Sequence, residues 1–325
     1  MVIEQTADSQ TPYIQGQSLE VQHFLVVYLD VLGQRDELRQ LTIPRTEEEL
    51  ARTSAVLKRT LGFILQIRSL FKTFFDRFSE PTDFLKSLPL SEQPALRNLR
   101  RSEVHFYGFS DSFVVSVPLG SQDDHCTPVN GVYAALIASA SIPLNSLFSG
   151  HALRGGIDVG VGVQLSTGEV YGAALERAYA LEHQVSDYPR ITIGNDLIRY
   201  LQFVRDQLPA SIPARCAKQT AERCLRLLTR DSDGEMTLDY LGEAIREVGR
   251  HAVSAEILER AYEFANRELE RFGRSGDAKL KSRYEKLNQY LASRRGLWAP
   301  LNHLTPQSSG PGACDARTPA ADRER

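Results

Sequence analysis

Three stretches decide the fold: FLVVYLDVLGQR (24–35), HFYGFSDSFVVSV (105–117) and LRGGIDVGVGVQLSTGEVYGAALERAYALE (153–182). Residues 24–30 are an unbroken apolar run of strand length, rich in β-branched and aromatic side chains. Such a run predicts a central strand buried on both faces. It ends on Asp30, and Leu32-Gly33 then turns the chain into the helical pattern DELRQL. Residues 103–117 predict two strands meeting at Ser110-Asp111. Residues 152–163 predict a strand carrying Gly155, Gly156, Gly160 and Gly162. Glycines inside a strand imply close backbone packing or a ligand nearby. A turn at Ser166-Thr167-Gly168 leads to a short strand, a helix over 172–186 and the short strand ITIG (191–194).

Outward from these stretches, residues 46–79 place Leu57, Leu61, Leu65, Ile67, Leu70, Phe71, Phe74, Phe75 and Phe78 at helical spacing, predicting one long helix. Residues 80–101, with Pro81, Pro89 and Pro94, read as a connector, and 129–148 as a helix. Beyond 195 the chain reads mostly as helix. The exception is LLTRDSDGEMTLDYL (227–241), a hairpin across Asp233-Gly234, and 252–293 reads as two helices broken near Gly273–Gly276. This order predicts an α/β (α+β) layer fold, a mixed sheet flanked by helices rather than a doubly wound parallel sheet. The expected organisation is a flexible N-terminus (1–20), a core (21–195), a helical C-terminal region (196–303) and a disordered tail (304–325).

With 42% hydrophobic and 24% charged residues, the 325-residue chain has the composition of an ordinary soluble globular protein. A net charge of −3 argues against a surface that coats nucleic acid. Cys126, Cys216, Cys224 and Cys314 form no CxxC pair, so neither a zinc site nor a disulfide framework is expected, in keeping with a reducing cytoplasm. The first residues, MVIEQTADSQTPYIQGQ, have neither the basic nor the apolar region of a signal peptide. No stretch approaches the ~20 apolar residues of a membrane span, and VYAALIASASIPLNSLF (132–148), interrupted by Pro143, reads as a buried helix. No nucleic-acid or membrane partner is therefore expected.

Asp30 and Asp111 carry the chemistry. A lone aspartate at a strand end is usually a turn or a cap. These two each follow an apolar strand and are followed at once by more apolar sequence, so neither sits on a solvated face. A buried carboxylate is costly unless it is paired or metal-bound. Magnesium typically takes one or two carboxylates plus phosphate oxygens, and two such ions activate a hydroxyl nucleophile and stabilise a leaving group. Leu32-Gly33-Gln34-Arg35 opens a helix whose first N–H groups can hold phosphate, with Arg35 either a further phosphate contact or a surface arginine. Asp231-Ser232-Asp233-Gly234 reads as a hairpin turn, because Asp239 and Tyr240 do not continue a calcium-loop ligand series. There is no Walker loop or GxSxG, and the glycines at 155–162 lie inside a strand rather than before a helix, which excludes a dinucleotide-binding fingerprint.

These segments resemble the class III nucleotidyl cyclase catalytic domain. That family carries a first metal aspartate in F-x-D-x-x-G, a second in a G-D hairpin, then R-x-G-I-x-x-G, then a Y-G-x-x-V-N-x-A-x-R helix. Here the first falls on Asp30 in YLDVLG and the second on Asp111 in GFSDS. The third is Arg154-Gly155-Gly156-Ile157-Asp158-Val159-Gly160, and the fourth begins at Tyr171-Gly172. The resemblance covers roughly residues 24–194, with the hairpin near 233 as its last piece. It implies that Asp30, Asp111 and the backbone of Val31 hold two Mg²⁺ or Mn²⁺ ions. It also implies that Val31, Leu32, Gly33, Gln34 and Arg35 contact the phosphates of a nucleoside triphosphate.

The departures narrow the resemblance. The family's ribose-directed Asn falls on Glu176 and its transition-state Arg on Ala180, leaving Arg177 as the local replacement cation, on a different helix face. The base-reading Lys of purine cyclases falls on Tyr107, and its partner position on Glu169. This pattern is similar to the pyrimidine cyclases of bacterial Pycsar antiphage defence. It implies a homodimer with sites at the subunit interface that converts UTP, favoured over CTP, to a 3′,5′-cyclic nucleotide and pyrophosphate. The product would activate a separate effector. A tyrosine at 107 would shorten the base pocket in favour of a one-ring base; the bland reading packs it in the hairpin. The alternatives are a purine cyclase with an altered pocket and a catalytically inactive nucleotide-binding sensor.

Overall fold

A computed structural model describes residues 20–79, 89–93, 102–108, 111–120, 126–165, 168–208, 211–249 and 253–298. Of the expectations above, residues 1–19, the connector but for 89–93, Ser110, Ser166-Thr167, the 304–325 tail and the side chain of Arg35 lie outside the described residues. The chain runs β1 (Val21–Val31), α1 (Gln34–Arg39), α2 (Glu47–Ser79), β2 (His105–Tyr107), β3 (Ser112–Pro118), α3 (Cys126–Phe148), β4 (Leu153–Gln164) and β5 (Val170–Gly172). There follow α4 (Ala173–Ala180), one π turn (Leu181–Val185), β6 (Ile191–Ile193), α5 (Asn195–Gln207), α6 (Ile212–Arg226), β7 (Leu228–Arg230) and β8 (Met236–Leu238). α7 (Glu243–Gly249), α8 (Ala255–Ser275) and α9 (Ala278–Arg295) complete it. The eight strands form one mixed sheet in the order β2-β3-β1-β4-β6-β8-β7, with β5 paired to β4. β4 and β6 run parallel, and the other pairs antiparallel.

β1 is the central strand that its apolar run predicts, and its two faces bury against different layers. Leu25, Val27, Leu29 and Val31 join the large core with Phe113, Val115, Val117, α2 and α3. Phe24, Val26 and Tyr28 join a smaller cluster with Val114, Val170, Ala174 and Ala178. The alternation of β4 explains why one short helix covers that second face. Register places Gly156, Asp158 and Gly160 opposite Tyr28, Val26 and Phe24. With no side chains at 156 and 160, α4 lies directly on the strand. A Cβ at Gly156 would come 2.1 Å from the Ala178 carbonyl oxygen, and one at Gly160 2.8 Å from the Ala174 nitrogen. Asp158, between them, is buried. Its carboxylate accepts the N–H groups of Val159 (2.9 Å) and Leu197 (2.8 Å), so it caps α5 from across the sheet.

α2 has the predicted spacing, but its first three turns project beyond the core. Phe63, Ile64, Ile67, Phe71 and Phe75 are buried, whereas Leu50, Leu57, Leu61 and Leu65 face solvent. α3 holds the one helical segment among the described residues that is long and apolar enough to cross a membrane (Pro128–Phe148), and it sits largely inside the protein. The large core does not stop at residue 195. It takes in Leu201 and Val204 of α5, Cys224 of α6, Phe264 of α8 and Leu287 of α9. Asp239, just after β8, fixes α9 by accepting a two-pronged bond from Arg294 (2.9 Å to each oxygen) and one from Tyr290 (2.9 Å).

The β7–β8 hairpin has its turn at Asp231–Gly234, with Gly234 at φ 91°. Its carboxylates bind the buried guanidinium of Arg190, which reaches Asp231 at 2.7 Å, Asp233 at 2.6 Å and the Val185 carbonyl at 2.8 Å. Tyr188 also donates to Asp231. Burial would raise the Asp231 carboxyl, but hydrogen bonds from Tyr188, Ser232 and Arg190 outweigh it and hold it below the ordinary carboxylate range. The Arg190 hydrogen bond does the same for Asp233.

Removing Arg190 strands two partly buried carboxylates. Arg190→Met should lower stability by about 3 kcal/mol at pH 7, read from urea unfolding. Because both folded-state carboxyl values are depressed, their stabilisation is complete above the unfolded-chain range near pH 4 and fades as pH falls through the folded values. The gap between wild type and Arg190→Met should therefore narrow below about pH 4. A constant gap from neutral to acid pH would contradict this account.

Candidate active site

β1 ends where three strands are clamped together. Asp30 lies opposite Ser112 of β3 on one side and Arg154 of β4 on the other. One residue on, the Val31 N–H donates to the Asp111 carbonyl (3.1 Å) and the Leu32 N–H to the Ala152 carbonyl (2.8 Å). Asp30 and Asp111 therefore leave neighbouring strands within one residue of each other in register, at the same edge of the sheet. Asp111 is 4% exposed. Tyr28, two residues before Asp30 and hence on the same face, has its phenol raised by burial; a hydrogen bond with Ser112 opposes the rise and the Asp30 charge adds to it.

The same edge holds a buried ion pair. α4 descends along β4 from Gly160 to Gly156, and the π turn that extends it delivers Glu182 to Arg154. Arg154 Nη2 is 2.6 Å from Glu182 and 3.9 Å from Asp30, and Nη1 donates to the Ser186 carbonyl at 3.1 Å. Glu182 is 2% exposed. Arg154 thus commits its charge to Glu182 and stands off from Asp30. Neither residue stands among the site residues expected from sequence. The signal was the pairing of Arg154-Gly155-Gly156 with a helix that must close on those glycines, which brings whatever follows its last turn to the strand end.

Other expected residues are distributed unevenly. Tyr107 lies in the row of Val114, Tyr28 and Gly156 across the sheet, one pleat from the Asp30 row. Its hydroxyl donates to the Val170 carbonyl at 3.4 Å, and burial, with Glu169 nearby, pushes its phenol up to about 12. The structure therefore brings Tyr107 and Glu169 together, with Glu169 exposed at the end of the β4–β5 loop. The N–H groups of Val31 and Leu32 are spent on protein carbonyls. Backbone phosphate contacts expected from 31–34 narrow to Gly33 and Gln34. Glu176 is exposed midway along α4. Arg177 is held by Asp196 and donates to the Val159 carbonyl at 3.1 Å. Val159 lies five residues along β4 from Arg154, about 17 Å at strand spacing. Within one chain Arg177 is therefore not at the Asp30 edge, because Asp196 of α5 draws it the other way.

What this edge can do follows from its donors. Carboxylate oxygens at two strand ends suit a hard cation such as Mg²⁺ or Mn²⁺. Among the described residues no group of three or more His, Cys, Asp or Glu side chains forms a metal set. An ion held by Asp30 and Asp111 would complete its shell with water or phosphate oxygens, as magnesium commonly does. No protein-family model matches the chain, and no curated protein matches it.

The Arg154–Glu182 pair makes its own prediction. Arg154→Met leaves Glu182 buried without its cation and should cost about 3–5 kcal/mol. The double variant Arg154→Met/Glu182→Leu, which removes both charges together, should recover most of that loss. Urea denaturation of the three proteins decides. Equal stability of the single and double variants would show that the pair is not the buried unit described here.

Proposed function

We propose that the chain is a pyrimidine nucleotide cyclase of the class III type, acting on UTP or CTP to make a 3′,5′-cyclic nucleotide. The observation that carries this reading is the clamp that sets Asp30 near the end of β1 and Asp111 just before β3, one residue apart in register, with Arg154 3.9 Å from Asp30 and held by Glu182. In the reaction, the ribose 3′-hydroxyl oxygen attacks the α-phosphorus, the bond to pyrophosphate breaks and the hydroxyl proton leaves. Asp30 and Asp111 would hold Mg²⁺ or Mn²⁺, which when bound lowers the hydroxyl's pKa and neutralises charge on the pyrophosphate. Arg154, fixed by Glu182, keeps a positive charge beside Asp30, and Tyr107 limits the space left for the base.

The homodimer belongs to this proposal. Glu176 is exposed and away from the Asp30 edge, so a role for it requires a site shared between two copies. So does the supply of a product messenger to an effector in bacterial defence, and a cytoplasmic location suits both substrate and product. The second reading, a nucleotide-binding sensor without turnover, is favoured by one observation: Arg177 is tied to Asp196, and Ala180 stands where the family carries its transition-state arginine.

Incubation with Mn²⁺ and each of the four ribonucleoside triphosphates, with products identified by mass, tests the proposal. A cyclic pyrimidine nucleotide is expected; cyclic AMP or GMP alone would give the purine reading, and binding without product the sensor. Asp30→Ala and Asp111→Ala should each cut turnover by about 100-fold or more while leaving the circular dichroism spectrum unchanged, and chelation of divalent cations should do the same to wild type. Substantial activity in either variant would sink the assignment.

Tyr107→Ala should raise turnover of ATP or GTP relative to UTP and CTP. A contact of this kind is worth about 1–3 kcal/mol, a change of about 5- to 150-fold in the ratio of kcat/KM values. An unmoved ratio would leave Tyr107 as a packing residue of the β2–β3 hairpin.

A further inference from the structure

A cavity of about 500 Å³ opens between the loop that follows Asp30 and the C-terminal helices α8 and α9. One wall is Gly33, Gln34 and His151; the other includes Arg283 and Tyr284. Gln34 is 2% exposed, and its Nε2 has no hydrogen-bond partner among the described residues. Native interiors rarely leave a buried amide donor unpaired. Arg283 approaches from the opposite side. It is half-buried and forms no salt bridge among the described residues.

The carboxylates around Arg283 bond to other groups. The nearby carboxylates are committed elsewhere: Asp187 to Lys286 and Arg190, and Asp277 to the Leu280 N–H at 2.9 Å as the cap of α9. The two glutamates of the cavity wall are also taken, Glu268 by Arg271 at 2.9 Å and Glu37 by Arg59 at 2.6 Å. Burial, and next the like charge of Arg154, lower the Arg283 pKa, with Asp187 and Asp277 opposing. The His151 ring lies 4.0 Å from that of Phe63, tilted by 34°, and burial lowers its pKa. The cavity therefore offers donors from two directions, and among the described residues its two glutamates are each paired with an arginine. An anion with several oxygens, accepting from a guanidinium and an amide at once, satisfies both.

We propose that this cavity is a phosphoryl-anion site, in which Arg283 of α9 and the Gln34 side chain hold the anion. The C-terminal helices then form a working wall of the site as well as packing on the core. The anion class comes from the donors alone; only its origin as the phosphate chain of a substrate or as released pyrophosphate rests on the cyclase reading.

The test uses the full chain and isothermal titration calorimetry in chelator, with inorganic phosphate, pyrophosphate and UTP as separate probes. Wild type should bind at least one of the three. Arg283→Met should weaken that binding by about 10- to 150-fold, Gln34→Leu should also weaken it, and Arg283→Lys should restore part of the loss at an unchanged melting temperature. The tightest probe identifies the source: free phosphate, the leaving group or the triphosphate tail. Failure of wild type to bind any probe at millimolar concentration would overturn the inference, as would equal binding by Arg283→Met. If no cyclic product forms while pyrophosphate binding still depends on Arg283, the cavity assignment stands and the cyclase reading fails. If product forms and Arg283→Met changes neither pyrophosphate affinity nor the KM for triphosphate, the cavity assignment fails alone.

Discussion

The site depends on the close contact between the bare face of β4 and the backbone of α4. Any side chain at 156 would collide with the Ala178 carbonyl, so the helix can lie against the sheet only over glycine. That contact sets the height of α4 and hence where its π turn ends. Glu182 reaches Arg154 because the helix is that low, and Arg154 is drawn to Glu182 at 2.6 Å, leaving 3.9 Å to Asp30. A helix raised by one side chain would release Glu182 and allow Arg154 to collapse onto Asp30. The disposition of charge at the strand ends is thus a consequence of packing on the sheet face.

Two clusters of buried charge can be compared on the same terms. Around Arg190, Asp231 and Asp233 lie at 2.7 and 2.6 Å, the phenol of Tyr188 adds a further bond, and both carboxyls are held below their ordinary range. There the arginine is shared between both carboxylates of the turn, and its work is to bolt the β7–β8 hairpin to the sheet. At the end of β1, the carboxylates of Asp30 and Glu182 flank Arg154, and the arginine favours Glu182. Arg154 is instead shared unevenly, 2.6 Å from Glu182 and 3.9 Å from Asp30.

Much of this was readable in the chain. The 24–30 run, the Asp111 hairpin and the glycine alternation of 153–162 each encode a local rule: burial on both faces, a turn between short strands, and a strand with one bare side. The β7–β8 hairpin followed from Asp233-Gly234, and its aspartates were readable as turn residues. What was not readable is long-range. Arg154 and Glu182 are 28 positions apart and meet only because of the α4 contact. Arg177 is decided by Asp196, on a helix whose start is set by a buried Asp158. The helical spacing of α2 is correct, yet it could not show that Leu57, Leu61 and Leu65 face solvent, because they form a stripe beside the one that carries Phe63, Ile64, Ile67 and Phe71 into the core. The role of the region beyond 195 depends on the docking of α8 and α9, which places Arg283 across the cavity from Gln34.

The most direct measurement is a crystal structure of the protein soaked with Mn²⁺ and a non-cyclisable UTP analogue, with the metal located by its anomalous signal. The account predicts manganese bound by the carboxylates of both Asp30 and Asp111, with Arg154 still on Glu182. Manganese bound elsewhere, or an analogue seated with no metal and with Arg154 closed onto Asp30, would contradict it.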